Sequence, residues 1–218
     1  AANHSGIKKF CLVGSLAAVG PSADGTPLDE FAPCRPITEY GLSKLRAEEA
    51  ALSYSGRVPV VVIRPPTVYG PRDRDVLEVF RTATWGLKPV IGSKDKTLSL
   101  IHAADLARGL VSAAISEKTA GNIYFATDDR AYRHSELYDE LFLILGRAHV
   151  TLPVPNPILY LIAWVAEVIS SMGPRAALLN IDKARDLIQP HWVCNGAKIK
   201  RDIGFSTEIS IREGLRST

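Results

Sequence analysis

Two short apolar runs separated by a helix-forming segment constrain the fold of this chain more than any other feature. Residues 10–13 read FCLV and residues 60–63 read VVVI, and runs of this kind are typical of strands buried on both faces. Between them, the sequence predicts a helix with Thr38 as its N-cap and Gly56 just beyond its end. Strand, helix and strand in this order predict a right-handed crossover in a parallel sheet.

The rest of the chain predicts shorter alternating elements, which fits an α/β fold. Asp105 is expected to cap one of its helices. The predicted helices cover 76–85, 104–115, 135–145 and 153–172, and the predicted strands cover 97–101 and 122–126.

The segment 153–172 is the most apolar part of the chain. Its unbroken apolar core, 158–166, is far shorter than the roughly 20 residues that span a bilayer, so we expect no transmembrane segment. The segment suits a helix packed on the core or on a partner subunit. The alternative is a helix that faces lipid or an apolar substrate.

Composition excludes several classes of protein. Apolar residues make up 46% of the 218 residues, as in globular chains, and the net charge of +3 comes with no dense basic run that would indicate nucleic-acid binding. The three cysteines and five histidines have no disulfide-scaffold or metal-ligand spacing, so we expect no metal site. No signal-peptide pattern opens the chain, and we expect a cytoplasmic protein.

The strongest chemical signal is Tyr40 followed four residues later by Lys44. On a helix these side chains share a face, and an ammonium beside a phenol supports the phenolate that a general acid/base needs. Ser15 follows the first strand, and ligands of parallel sheets bind outside the carboxyl ends of the strands. Ser15, Tyr40 and Lys44 together therefore suit proton transfer to an alkoxide. A Tyr-x-x-x-Lys spacing alone also fits a solvated helix face.

Five segments in the same order resemble the extended short-chain dehydrogenase/reductase superfamily. Within it they are most similar to the 3β-hydroxysteroid dehydrogenase and NAD-dependent epimerase/dehydratase branch. This resemblance implies the second half of a Rossmann-type parallel sheet, in residues 1–70, plus a smaller α/β substrate-binding lobe, mainly in 71–218. The segments are SLAAVG (15–20), YGLSK with Ala47-Glu48, IRPPTVYGPR (63–72), SLIHAADLA (99–107) and GNIYFATDD (121–129).

The resemblance also implies roles for individual residues. Tyr40 would be the acid/base, Lys44 would support its phenolate and contact the nicotinamide ribose, and Ser15 would orient the substrate oxygen. Pro66 would line the nicotinamide pocket of NAD or NADP, a choice that the sequence leaves open. The reaction would be hydride transfer between a secondary alcohol and a ketone.

Thr67 and Arg72 are the residues that the resemblance places beside the substrate. The alternating charges of residues 72–75 are most simply those of a solvated turn, and both interpretations apply to Arg74 as well. The small-molecule substrate is expected to be sterol-like, with a nucleotide sugar as the alternative, because Leu98 stands where nucleotide-sugar enzymes carry a diphosphate-binding Arg. Lys94 and Lys96 are the nearby bases that could replace it.

No GxxGxxG or GxGxxG motif occurs, so the pyrophosphate of a dinucleotide has no visible binding turn. We therefore expect a truncated chain that begins in the helix before the Ser15 strand. Two hypotheses remain for the isolated chain. It is either part of an active enzyme, or an inactive fragment or binding module. Half a Rossmann sheet also leaves an uncovered edge, and a homodimer through exposed apolar helix faces is compatible with the sequence.

Overall fold

The computed structural model describes residues 6–92, 96–171 and 179–218, which contain nine strands and eight α-helices. The strands are β1 Phe10–Val13, β2 Val60–Arg64, β3 Thr67–Tyr69, β4 Leu87–Ile91, β5 Thr97–His102, β6 Ile123–Phe125, β7 Ala131–Arg133, β8 Val150–Val154 and β9 His191–Trp192. The helices are α1 Glu39–Leu52, α2 Arg74–Thr84, α3 Ala103–Ile115, α4 His134–Leu145, α5 Asn156–Ser171, α6 Ile181–Leu187, α7 Ala197–Ile203 and α8 Ile211–Ser217.

The first sheet has the strand order β1-β2-β6 and is parallel throughout, so the α/β prediction is confirmed. Every residue of the central strand β2 is buried, as its apolar run predicts. β1 differs, because Phe10 and Val13 are each about two-fifths exposed. Its other edge has no neighbour among the described residues, so the prediction that β1 is buried on both faces is wrong for this chain.

The main core lies between this sheet and α3. Val61 and Ile63 of β2 and Tyr124 of β6 are fully buried there against Leu106 and Ala113 of α3. Burial of such side chains is the main favourable contribution to folding, because it removes apolar surface from water. Helix α1 connects β1 to β2, so it is attached to the same sheet at both ends.

Helix α1 begins where the sequence predicts and ends earlier. The Thr38 hydroxyl accepts a hydrogen bond from the Gly41 N–H at 3.0 Å, which makes Thr38 the N-cap. The helix ends at Leu52, because the chain then tightens into turns in which the Arg57 N–H donates to the Tyr54 carbonyl at 2.8 Å. Gly56 lies within these turns and is not the helix cap.

Two smaller sheets complete the fold. In one of them, β5 pairs parallel with both β3 and β9 and antiparallel with β7. In the other, β4 and β8 form a parallel pair. The chain leaves β8 directly into α5, so the predicted helix 153–172 begins three residues late. Residue 172 lies outside the described part, as do residues 1–5 at the predicted helix end.

Asp105 is buried in the first turn of α3 and is not its cap. The cap is His102, whose Nδ1 accepts the Ala104 N–H at 3.3 Å. The Asp105 carboxylate instead accepts hydrogen bonds from the N–H groups of Glu208 and Ile209 at 3.1–3.2 Å. It therefore fixes the chain's last segment to α3.

None of the helices in 6–92, 96–171 and 179–218 is long and apolar enough to cross a membrane. Over the same residues, no group of three or more His, Cys, Asp and Glu side chains is arranged to hold a metal ion.

Asp128 is a buried carboxyl group whose charge the fold disfavours. Burial raises its pKa, and the nearby Asp105 acts in the same direction. The Tyr132 hydroxyl donates to Oδ2 at 2.9 Å, whereas Oδ1 has no hydrogen-bond partner in the described structure. Folding therefore favours the protonated form of Asp128.

We predict that Asp128→Asn is more stable than the wild type at pH 8, because Asn places no charge in this site. A raised folded-state pKa means that the native state binds the proton more tightly. The wild type therefore regains stability as the pH falls through that pKa toward the unfolded value of about 3.9. Urea unfolding at pH 8 and at pH 4, close to the unfolded value, should show that the stability advantage of Asp128→Asn becomes smaller. An equal difference at both pH values would contradict the assignment, and the exposed Asp129→Asn is the control.

Candidate active site

Ser15 lies just beyond the carboxyl end of β1, as the topology of a parallel sheet predicts. It is the N-cap of a short 3-10 turn, Leu16–Ala18, and its Oγ accepts the Ala17 N–H at 3.1 Å. A serine hydroxyl can accept and donate at once. With its acceptor side held by Ala17, the half-buried Ser15 hydroxyl keeps its O–H for a ligand.

The first turn of α1 packs directly against this 3-10 turn. A Cβ added to Gly41 would lie 2.3 Å from the Ala17 carbonyl oxygen, so only glycine permits this approach. Tyr40 precedes Gly41 and therefore enters the helix beside the turn that carries Ser15. Glycine at position 41 is thus required for α1 to pack against the turn that carries Ser15.

Lys44 links the helix to the end of β1. Its Nζ donates to the Val13 carbonyl oxygen at 3.3 Å and lies 5.7 Å from the centroid of the Tyr40 ring. The Tyr40 side chain is 54% exposed, so its phenol is open to a ligand. The structure therefore assembles the elements that carry Ser15, Tyr40 and Lys44 at one end of β1.

The segment after β2 reaches the same place. The Leu16 N–H donates to the Pro65 carbonyl oxygen at 2.9 Å, which holds the two prolines beside the 3-10 turn. Pro66 is buried, and Thr67 opens β3 with its side chain exposed. Pro66 and Thr67 are thus one and two residues from a direct backbone contact with the Ser15 turn.

Arg72 lies further along this segment on an exposed turn. Its φ is 72°, in the left-handed region that non-glycine residues rarely occupy, and such strain is common at functional sites. Its side chain makes no hydrogen bond to Ser15, Tyr40 or Lys44 in the structure. The Arg74 side chain lies outside the described part.

A buried ion pair beneath the site was not anticipated from the sequence. Arg64 at the end of β2 donates to both carboxylate oxygens of Glu48, with distances of 2.7–3.2 Å, and both side chains are at most 4% exposed. Glu48 lies four residues after Lys44 and eight after Tyr40, on the same face of α1. The pair therefore joins the face that carries the candidate residues to β2.

Glu48 also explains why glycine stands at position 14. A Cβ at Gly14 would lie 2.2 Å from the Glu48 Oε1 atom. The carboxylate therefore occupies the space that a larger residue would need. The sequence carries little signal for the pair, because Arg64 follows the apolar run 60–63 and Glu48 lies in a helix with several other charged residues.

Helix α6 supplies a second unforeseen contact. The Asp182 carboxylate accepts the Glu39 N–H at 3.1 and 3.2 Å, and Arg185 donates to the Ile37 carbonyl oxygen at 3.3 Å. These contacts surround the first turn of α1, where Tyr40 lies. Since α6 is more than 140 residues away in sequence and was not predicted, no local pattern indicated the contact.

Two of the three residues considered for a substrate diphosphate, Leu98 and Lys96, make other contacts. Leu98 packs in a core cluster with Leu100 and Tyr132. The Lys96 ammonium donates to the Leu187 carbonyl oxygen, and burial lowers its pKa to about 8. Lys94 lies outside the described residues.

The site fits the nicotinamide half of a dinucleotide. Lys44 uses one of the three N–H donors of its ammonium for the hydrogen bond to the Val13 carbonyl, which leaves two donors for ribose hydroxyl groups. Beside it lie the exposed Tyr40 phenol and the exposed side chain of Val13 at the open edge of β1. For the pyrophosphate, the sequence offers no glycine-rich turn.

A family model and curated proteins match this chain. The model of the NAD dependent epimerase/dehydratase family matches residues 1–125. The UDP-glucose 4-epimerase of Vibrio cholerae is 25% identical over 98% of the chain and 63% of its own length. The 3beta-hydroxysteroid-dehydrogenase/decarboxylase isoform 2 of Arabidopsis thaliana is 23% identical over 98% of the chain and 41% of its own length. The chain thus spans less than two thirds of these relatives.

The fold also matches solved structures. UDP-glucuronic acid 4-epimerase from Bacillus cereus, in complex with NAD, superposes with a TM-score of 0.77 at 17% identity. The match covers 99% of this chain and 61% of that protein. At this identity the match establishes the Rossmann-type fold.

We predict that Glu48→Gln lowers the free energy of unfolding by about 3–5 kcal/mol, because it leaves the buried Arg64 guanidinium without a counter-charge. The matched control is Glu140→Gln, which breaks the more exposed pair with Arg212 and should cost about 0–1 kcal/mol. Chemical denaturation measures both. Equal losses would show that the buried pair does not hold α1 to β2.

Proposed function

The chain belongs to the NAD dependent epimerase/dehydratase family, and on this premise we propose that it carries the acid/base centre of an NAD(P)-dependent oxidoreductase acting on a secondary alcohol or ketone. The observation that carries the proposal is Lys44, held by the Val13 carbonyl with its ammonium beside the Tyr40 ring at the end of β1. Tyr40 is the proposed acid/base, and Ser15 and Lys44 are its proposed partners.

Each residue has a separate task in this proposal. The Ser15 O–H donates to the substrate oxygen and fixes it near the Tyr40 phenol. Tyr40 takes the hydroxyl proton during oxidation and returns it to the carbonyl oxygen during reduction. The Lys44 ammonium, together with the N-terminus of α1, places positive charge beside the oxygen that becomes negative. A bound nicotinamide supplies the hydride acceptor or donor; Lys44, Tyr40 and Pro66 are the residues proposed to hold it.

We further propose an apolar, sterol-like alcohol as the substrate, hence a 3β-hydroxysteroid dehydrogenase-like enzyme. Leu98 is packed in the core and Lys96 is bound to a main-chain carbonyl, so neither side chain is available to bind a diphosphate. Thr67 and Arg72 remain the proposed substrate-facing residues. The likeness to the Vibrio epimerase favours a nucleotide-sugar epimerase or dehydratase as the second candidate.

We expect Tyr40→Phe, tested in the complete protein that contains this chain, to lower kcat by about 10²–10⁴-fold, because phenylalanine has no proton to transfer. Steady-state assays with NAD(H) and NADP(H) measure this loss. Tyr54→Phe is the matched control, since Tyr54 is equally exposed just beyond α1 and should keep full activity. Full turnover in Tyr40→Phe would refute its role. A complete protein that neither binds nor turns over either dinucleotide would favour a binding module.

The substrate class is tested by comparing kcat/KM for a 3β-hydroxysteroid and for a UDP-sugar. We expect the steroid to be preferred by at least about tenfold, because a bidentate partner for the diphosphate is missing at residue 98. Inclusion of UDP in the steroid assay is the control and should not inhibit. A higher kcat/KM for the UDP-sugar, with inhibition by UDP, would support the epimerase or dehydratase.

A further inference from the structure

Tyr40 lies in the first turn of α1, the part of a helix that its own hydrogen bonds fix least. The first N–H groups of an α-helix have no acceptor within the helix, and helix ends fray. In α1 these groups include the N–H of Glu39 and that of Gly41. The Thr38 hydroxyl accepts the N–H of Gly41 at 3.0 Å. The position of the Tyr40 phenol therefore also depends on what accepts the N–H of Glu39.

The acceptor for the Glu39 N–H is Asp182 of α6. The Oδ2 and Oδ1 atoms of Asp182 lie 3.1 and 3.2 Å from the Glu39 nitrogen. Tyr40 is the next residue, so this hydrogen bond holds the backbone directly before the phenol. A carboxylate also interacts favourably with the positive end of a helix dipole. Asp182 thus caps α1 from 143 residues away, beside the local cap that Thr38 supplies.

Arg185 binds the same stretch of backbone on the other side of Thr38. Its Nη1 donates to the Ile37 carbonyl oxygen at 3.3 Å and lies 3.7 Å from Asp182 Oδ1. Asp182 and Arg185 are three residues apart on α6, so they share one face of that helix. This face binds one carbonyl and one N–H at the start of α1. Both contacts are to backbone atoms, so they fix the path of the chain into the helix.

Helix α6 is itself held in place by α5. Ala184 is fully buried in a cluster with Leu159 and Ala163 of α5. At the start of α6, the Ile181 N–H donates to the Glu167 carboxylate of α5 at 3.2 Å. Because α6 is anchored by apolar packing and by a hydrogen bond, its contacts with α1 can set the position of the first turn.

We propose that Asp182 is a positioning residue for Tyr40. Its hydrogen bond to the Glu39 N–H keeps the first turn of α1 closed, and the closed turn holds the phenol within reach of the substrate oxygen. Arg185 orients the Asp182 carboxylate. The inference rests on the proposed acid/base role of Tyr40. It adds that the acid/base centre requires α6 as well as the elements that carry Ser15, Tyr40 and Lys44.

The kinetic test compares Asp182→Ala with Asp182→Asn in the complete protein, using the alcohol that the wild type oxidises. We expect Asp182→Ala to lower kcat by about 10–100-fold, because a misplacement of about 1 Å can have such an effect on rate. KM for the dinucleotide should stay within about twofold, since no proposed cofactor-binding group is removed. Asp182→Asn keeps an oxygen that accepts the same N–H and should restore most of kcat.

The matched control is Glu136→Ala, which removes a carboxylate that accepts the Arg133 N–H at 3.2 Å at the start of α4. It should keep the kcat of the wild type. Unchanged kcat in Asp182→Ala would overturn the proposal, and so would equal losses in Asp182→Ala and Asp182→Asn. A raised KM for the alcohol with unchanged kcat would also overturn it, because Asp182 would then act in substrate binding.

A second measurement does not depend on catalysis. Hydrogen–deuterium exchange of the backbone in residues 38–44 should be faster in Asp182→Ala than in the wild type, and unchanged in Asp182→Asn and Glu136→Ala. Thermal unfolding verifies that each variant is folded. Unchanged exchange in a folded Asp182→Ala would overturn the proposal.

Failure of this inference is distinguishable from failure of the proposed function. Full turnover in Tyr40→Phe would refute the acid/base role, whatever the Asp182 variants do. Loss of turnover in Tyr40→Phe together with full turnover in Asp182→Ala would refute the positioning role alone.

Discussion

The buried ion pair between Glu48 and Arg64 is the interaction on which the arrangement of the site depends. It joins the face of α1 that carries Tyr40 and Lys44 to the end of β2, where water is excluded and each charge requires its partner. The lysine one turn earlier holds the same helix to the end of β1 through the Val13 carbonyl. Two attachments on one face thus fix both the distance and the rotation of α1 relative to the sheet.

This pair shows where inference from the sequence succeeds and where it stops. Thr38 and the apolar run of β2 act locally, through an N-cap and a strand pattern, and both predictions are confirmed. Ser15 and Tyr40 could be selected because strand ends and helix spacing are also local signals. Their proposed roles remain predictions. The partner of Glu48 is set by strand packing, which residue periodicity does not encode.

The wrong predictions have the same origin. The apolar run of β1 predicts burial on both faces, but the burial of a strand depends on which strands lie beside it, and β1 has one neighbour in the described structure. Asp105 is of a residue type that often caps helices, yet its carboxylate accepts hydrogen bonds from the backbone N–H groups of Glu208 and Ile209, about a hundred residues later. In each case a contact distant in sequence decides the role of a residue that local rules assign differently.

The chemistry of the three candidate residues limits what further sequence reasoning can reach. Ser15, Tyr40 and Lys44 suit any reaction that begins by oxidising an alcohol, so they do not distinguish a dehydrogenase from an epimerase. What distinguishes these reactions must therefore lie outside the three residues. The local patterns that selected them do not reach a contact such as that of Asp182 and Arg185 of α6 with the backbone of Glu39 and Ile37 at the start of α1.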